Sequence, residues 1–85
     1  MAEIVNRKGL HARAAAELVK VVDQFNSDIV IEYQGKAAPG NSLIHLLTLG
    51  AKQGSVINIK ATGQQSSAAI DALSTLVARG FYEEH

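Results

Sequence analysis

From Ala12 to Phe25 the apolar side chains fall at Ala15, Leu18, Val19, Val22 and Phe25, the spacing of a helix with one buried stripe. Glu17, Lys20 and Gln24 take the opposite face. A helix with a single stripe draws most of its stability from whatever that stripe lies on. The chain therefore has to supply an apolar surface elsewhere, and two later stretches do. Ile29, Ile31 and Tyr33 alternate with Val30 and Glu32, and Ile57, Ile59 and Ala61 alternate with Val56, Asn58 and Lys60. Each pattern predicts a half-buried strand, over 27–33 and 55–61.

The remaining segments complete the layers. Residues 2–6 carry adjacent β-branched residues and predict a first strand, followed by a loop over 7–10. Gln34-Gly35 is a turn signal, and 36–38 predicts a short return strand that Pro39-Gly40 must end. Ser42 is a candidate cap for a short helix over 43–49, closed by Gly50. A third helix is expected over 65–79 from Ala69, Ile70, Leu73, Leu76 and Val77, with Gly80 as its C-cap. Phe81 is expected to pack back on the core, and Tyr82 to His85 to form a frayed acidic tail. The order is βαββαβα. Strands with one apolar and one mixed face fit an α+β fold, an antiparallel sheet covered by helices on one side and open to water on the other.

Length and charge narrow the function classes. Eighty-five residues predict one domain over 1–85, and eight basic against eight acidic residues leave no net charge. A nucleic-acid partner would need a basic excess. There is no cysteine, and His11, His45 and His85 share no ligand spacing, so neither a metal nor a cofactor is expected. No serine sits in a strand–turn–helix elbow, and no phosphate-binding glycine loop is present. No apolar run approaches a membrane span, and Met1-Ala2-Glu3 does not begin a signal peptide pattern, so a soluble cytoplasmic protein without membrane insertion is expected. His45 has the look of a surface residue of the short helix, and His85 has no assignable role.

One stretch carries chemistry, Gly9-Leu10-His11-Ala12-Arg13. His11 falls at the start of the first helix, where unpaired N–H groups and the positive end of the helix dipole collect. Imidazole can act as a nucleophile, and a group there that gained negative charge would meet donors. Gly9 can adopt positive φ, and Arg13 can offer a planar fork of donors to a phosphate. These residues point to a histidine that accepts and passes on a phosphoryl group. A domain this small offers no obvious enclosing cleft, so partners must bring the rest of the site. The short helix is apolar nearly all round, at Leu43, Ile44, Leu46, Leu47 and Leu49, and the surplus suggests an exposed docking patch.

Gly9-Leu10-His11-Ala12-Arg13-Ala14-Ala15, then Asn41-Ser42-Leu43-Ile44 through Leu47, Leu49 and Gly50, then Gln53-Gly54 through Ile57 to Ala61-Thr62-Gly63, form three blocks in order. With them the chain resembles the HPr family, the histidine-containing phosphocarrier proteins of the bacterial phosphoenolpyruvate-dependent phosphotransferase system. The resemblance implies an open-faced β-sandwich, four antiparallel strands with three helices on one face. It implies that His11 takes a phosphoryl group on Nδ1 from enzyme I and gives it to enzyme IIA-type domains, with Arg13 assisting the phosphate. It makes Ser42 a regulatory serine for an ATP-dependent kinase, and Leu43, Ile44 and Leu47 the patch that partners bind. A stoichiometric carrier rather than an enzyme, acting as a monomer, is the expectation. The chain departs from many members by Ala14 in place of proline, and from many sugar-branch members by Asn41 in place of lysine. Asn41-Ser42 and the ending Gly80-Phe81-Tyr82-Glu83 are similar to the nitrogen-branch paralogue, whose output is regulation without sugar transport. A purely allosteric binding domain, never phosphorylated, is the alternative of a different class; it would need neither His11 nor Arg13.

Overall fold

The alternation in 27–33 and 55–61 becomes the centre of one sheet. The computed structural model describes residues 1–83. Its elements are β1 (Ala2–Glu3), α1 (Ala12–Val22), β2 (Ser27–Tyr33), β3 (Lys36–Pro39), α2 (Leu43–Thr48), β4 (Val56–Gly63) and α3 (Ser66–Ala78), with a final 3-10 turn over Gly80–Tyr82. The strand order is β1-β4-β2-β3, antiparallel throughout. Ile31 stands opposite Ile59, and Ile29 opposite Ala61. Period two then sends Ile29, Ile31, Ile57 and Ile59 to the same side, where all four are buried.

That side carries the helices. α3 packs on β1, β2 and β4, α2 meets β3, and α1 lies against α2 and α3. Ala14, Ala15, Leu18 and Val22 of α1 and Ala69, Leu73, Leu76 and Val77 of α3 complete the core. The other sheet face is polar enough to meet water, and Lys60 pairs there with Glu32 at 3.3 Å. This is the open-faced α+β sandwich expected from the sequence. Among the described residues no helix is long and apolar enough to cross a membrane.

Boundaries differ in ways with local causes. β1 stops at Glu3 rather than residue 6. Ile4 still exchanges bonds with the β4 approach (Ile4 N to Ser55 O, 2.8 Å; Gly54 N to Ile4 O, 2.7 Å), but Asn6 turns inward and is fully buried. α1 stops at Val22 rather than Phe25, because Gln24 N and Phe25 N bond three residues back, to Val21 O and Val22 O, tightening the last turn. Phe25 still packs against the core from outside the helix. α2 ends one residue early, and β4 begins at Val56 and runs on to Gly63. The largest correction is at the end of the chain. Phe81 packs back as expected and is buried, yet the segment that follows is not a frayed tail up to Glu83. Glu84 and His85 lie outside the described residues.

Candidate functional site

The loop from Asn6 to His11 is tied down at Asn6, Gly9, Leu10 and His11. Gly9 N donates to Asn6 O (3.1 Å), His11 N to Gly9 O (3.0 Å), and Leu10 N reaches across to Ala51 O (2.9 Å). Gly9 has φ +66°, and a Cβ built there would stand 2.6 Å from Ala51 O and 2.9 Å from Lys52 Cα. Only glycine meets both the left-handed backbone and the close approach. Leu10, buried, pins the loop to the core from below.

This loop delivers His11 to the N-cap of α1. Its backbone is extended (φ −88°, ψ −175°), its carbonyl accepts from Ala15 N at 2.8 Å, and its side chain makes no capping bond. The first turn contains no acidic side chain. The opening N–H groups of the helix therefore stand without an intrahelical acceptor at its positive end.

The ring is not the fully exposed group that a helix-start position suggests. One quarter of the side chain is exposed, and Nε2 lies 2.5 Å from Glu83 Oε2. The second oxygen, Oε1, accepts from Asn6 Nδ2 at 2.5 Å, and the same Nδ2 donates to Gly9 O at 2.8 Å. Burial pushes the Glu83 carboxyl up. The hydrogen bonds from His11 and Asn6, with the charges of His11 and Lys8, outweigh it and hold the group below its ordinary value. No hydrogen bond to Nδ1 of His11 occurs among the described residues.

Arg13, in the first turn, is exposed. With Arg7, Lys8, Glu17, Tyr82 and Glu83 it borders one open hollow, and Lys8 is the cation there whose charge, beside that of His11, acts on the Glu83 carboxylate. Ser42 belongs to a separate element. It is the N-cap of α2, accepting from His45 N at 3.4 Å, and its Oγ also lies 2.6 Å from His45 Nδ1. Leu46 and Leu49 fill the buried stripe of α2, while Leu43 and Leu47 are partly exposed and Ile44 is 73% exposed. The structure thus brings His11 and Arg13 to the start of α1, and Ser42, Leu43, Ile44 and Leu47 to α2, which packs against α1. Asn6 and Glu83 sit far apart in the chain, and no period or spacing links either of them to His11. A polar residue closing an apolar strand, and a Gly-Phe anchor just before an acid, are the only traces either leaves.

Comparison with known proteins identifies the family of the sequence and the fold. Residues 1–79 match the family model described as the PTS HPr component phosphorylation site. The chain is 41% identical over 75 residues to the phosphocarrier protein HPr of Vibrio cholerae, covering 88% of each chain. It is 40% identical over 82 residues to the phosphocarrier protein NPr of Proteus mirabilis, covering 95% of this chain and 91% of that one. The crystal structure of HPr from Thermoanaerobacter tengcongensis superposes with a TM-score of 0.92 at 38% identity, over 98% of this chain and 93% of the other. On the matched sequence, the shared sandwich and the histidine at the start of α1, this chain belongs to the HPr family of phosphocarrier proteins of the phosphotransferase system.

Proposed function

We propose that His11 is the phosphoryl-accepting residue and that Nδ1 is the atom that bonds phosphorus. One observation carries this reading. Nε2 is committed to Glu83, so Nδ1 is the ring nitrogen left for chemistry, on a residue that caps an otherwise uncapped helix start. A phosphoryl group on Nδ1 brings dianionic oxygens to those N–H groups and to the positive helix end. Arg13, exposed in the same turn, supplies a further pair of donors to the phosphoryl oxygens during transfer. The protein then acts as a stoichiometric carrier and not as an enzyme with its own turnover, because the donor and the acceptor each bring the remainder of the active site.

Enzyme I is the donor and enzyme IIA-type domains are the acceptors, in the cytoplasm. Both dock on the patch of Leu43, Ile44 and Leu47, an apolar surface that lies outside the buried stripe of Leu46 and Leu49 and has no folding reason to be exposed. Ser42 caps the helix under this patch, and a kinase that phosphorylates it would put charge at the rim. A regulatory nitrogen-branch output, without sugar transport, is the second reading. It is favoured by the likeness to the Proteus mirabilis NPr over 95% of this chain.

The test is incubation with phosphoenolpyruvate and enzyme I, followed by intact-mass measurement. A single added phosphoryl group that is acid-labile and alkali-stable, and absent from His11→Ala, is expected. Equal labelling of the Ala variant would move the phosphoryl group to another residue and remove His11 from the function, whereas no labelling of the wild type would favour the purely allosteric reading.

A further inference from the structure

We propose that Glu83 is a positioning residue for His11, clamped by Asn6. Its carboxylate takes the Nε2–H, leaves the Nδ1 lone pair as the nucleophile, and offsets the positive charge the ring acquires as Nδ1 bonds phosphorus. The inference deepens the phosphoryl-acceptor reading above and rests on it.

The geometry argues first. Both carboxylate oxygens are engaged, one by His11 and one by Asn6, so the group cannot swing away from the ring without breaking two bonds. The Glu83 side chain is only 11% exposed, which strengthens a charge-assisted bond by removing competing water. Asn6 is fully buried, and its amide orientation follows from its neighbours. Nδ2 faces two acceptors, Gly9 O and Glu83 Oε1, and a flipped amide would set oxygen against both. Asn6 Oδ1 is then left buried without a partner among the described residues. A polar atom left unpaired in the interior calls for an explanation, and the clamp on Glu83 provides it.

The backbone points the same way. Gly80, Phe81 and Tyr82 have φ of +61°, +58° and +59°, three left-handed residues in a row, two of them not glycine. Such residues persist where surrounding structure over-determines them, and they cluster at functional sites. Here buried Phe81 anchors the turn, and the next side chain but one is Glu83 on His11. Strain in the turn serves to return the chain to a ring that belongs to another helix.

The chemistry follows from the protonation states. An ionised carboxylate can only accept, so Nε2 carries the hydrogen. In the neutral ring the lone pair is then on Nδ1, and the bond from Nε2–H to Glu83 fixes that tautomer and the orientation of the ring. In transfer the Nδ1–P bond forms, the donor–P bond breaks with its electron pair leaving on the donor, and the Nε2 proton stays where it is. The ring becomes cationic, and Glu83 faces that charge as the third member of a nucleophile–base–carboxylate arrangement does.

The experiment separates positioning from mere structure. The first arm is 15N-edited NMR of the unphosphorylated full chain. The wild type should show a His11 Nε2–H resonance protected from exchange with water, and Glu83→Ala should lose it while melting cooperatively. The second arm uses phosphoramidate, whose N–P bond breaks to release ammonia, so no partner protein is needed. The Glu83→Gln rate should fall about tenfold or more, since a charge-assisted bond is roughly twice as strong as a neutral one. Glu83→Asp, which keeps the charge with a shorter reach, should recover part of the loss. An equally protected ring proton in Glu83→Ala, or a Glu83→Gln rate within about twofold of wild type, overturns the positioning role. A wild type that phosphoramidate and enzyme I both fail to label at His11 overturns the acceptor reading itself, and the inference with it.

Discussion

Replacing Gly9 with alanine should damage both the fold and the transfer chemistry, by two separable effects. The first is backbone strain. An L-residue held at φ +66° costs about 1–2 kcal/mol. The second is collision, because the new Cβ would stand 2.6 Å from Ala51 O and 2.9 Å from Lys52 Cα, both backbone atoms that cannot rotate aside. The loop must retreat, and the 2.9 Å bond from Leu10 N to Ala51 O goes with it, a further loss of roughly 0.5–1.5 kcal/mol. Alanine also stiffens the unfolded chain, which returns about 0.4–1 kcal/mol. The net destabilisation is roughly 0.5–3 kcal/mol, and at about 4–8 °C per kcal/mol for a domain of this size the melting temperature should fall by roughly 2–24 °C. Gly35→Ala is the control. Gly35 has φ +77° with nothing within 4 Å of its Cβ position, so it reports strain without collision. Thermal unfolding followed by circular dichroism should place Gly9→Ala clearly below Gly35→Ala. Only Gly9→Ala should slow labelling of His11, whose N–H bonds Gly9 O. Equal melting of the two variants, with wild-type labelling in both, would mean that the approach of Gly9 to Ala51 and Lys52 constrains neither the fold nor His11.

Arg13→Lys keeps the charge but loses the planar fork, so phosphoryl transfer should slow, by about tenfold if one bidentate bond is lost, as read from single-turnover rates with enzyme I. Ser42→Asp keeps an acceptor at the N-cap of α2, where negative charge is favoured by roughly 0.3–1 kcal/mol, so melting should hold while transfer from enzyme I slows; unchanged transfer would leave Ser42 as a cap alone. The folded Glu83 carboxyl lies below its ordinary value of 4.5, so the stability it contributes is present above that pH and is lost as pH falls through the folded value. Denaturant titrations should accordingly show wild type more stable than Glu83→Gln near neutrality, with the gap closing on acidification below 4.5; a gap that does not change with pH would contradict the carboxylate's role.

The layers of this protein are legible in its sequence because each rests on local repetition. The stripe of Ala15, Leu18 and Val22 and the alternation of Ile29 with Ile31 and Ile57 with Ile59 specify both element type and buried face, and all of these residues are buried. The cap at Ser42 was legible for the same reason, since a hydroxyl three residues before His45 N is a local pattern. The His11 environment was not. Its contacts with Glu83 and the Asn6–Glu83 bond span 72 and 77 residues, and no period or spacing encodes a pairing at that distance. Two acids at the end of a chain carry the composition of a solvated tail. What converts one of them into a site residue is the buried Phe81 anchor and the three left-handed residues around it, neither of which periodicity can reveal. Asn6 was hidden differently. It sits where an apolar strand ends, and only the fold turns it inward.

Whether His11 takes the phosphoryl group on Nδ1 can be read from 15N and 31P NMR of the full chain after phosphorylation by enzyme I and phosphoenolpyruvate. One phosphohistidine is expected, with phosphorus coupled to Nδ1 of His11 and the hydrogen retained on Nε2 opposite Glu83. Phosphorus on Nε2, on His45, or on no histidine at all would contradict that assignment.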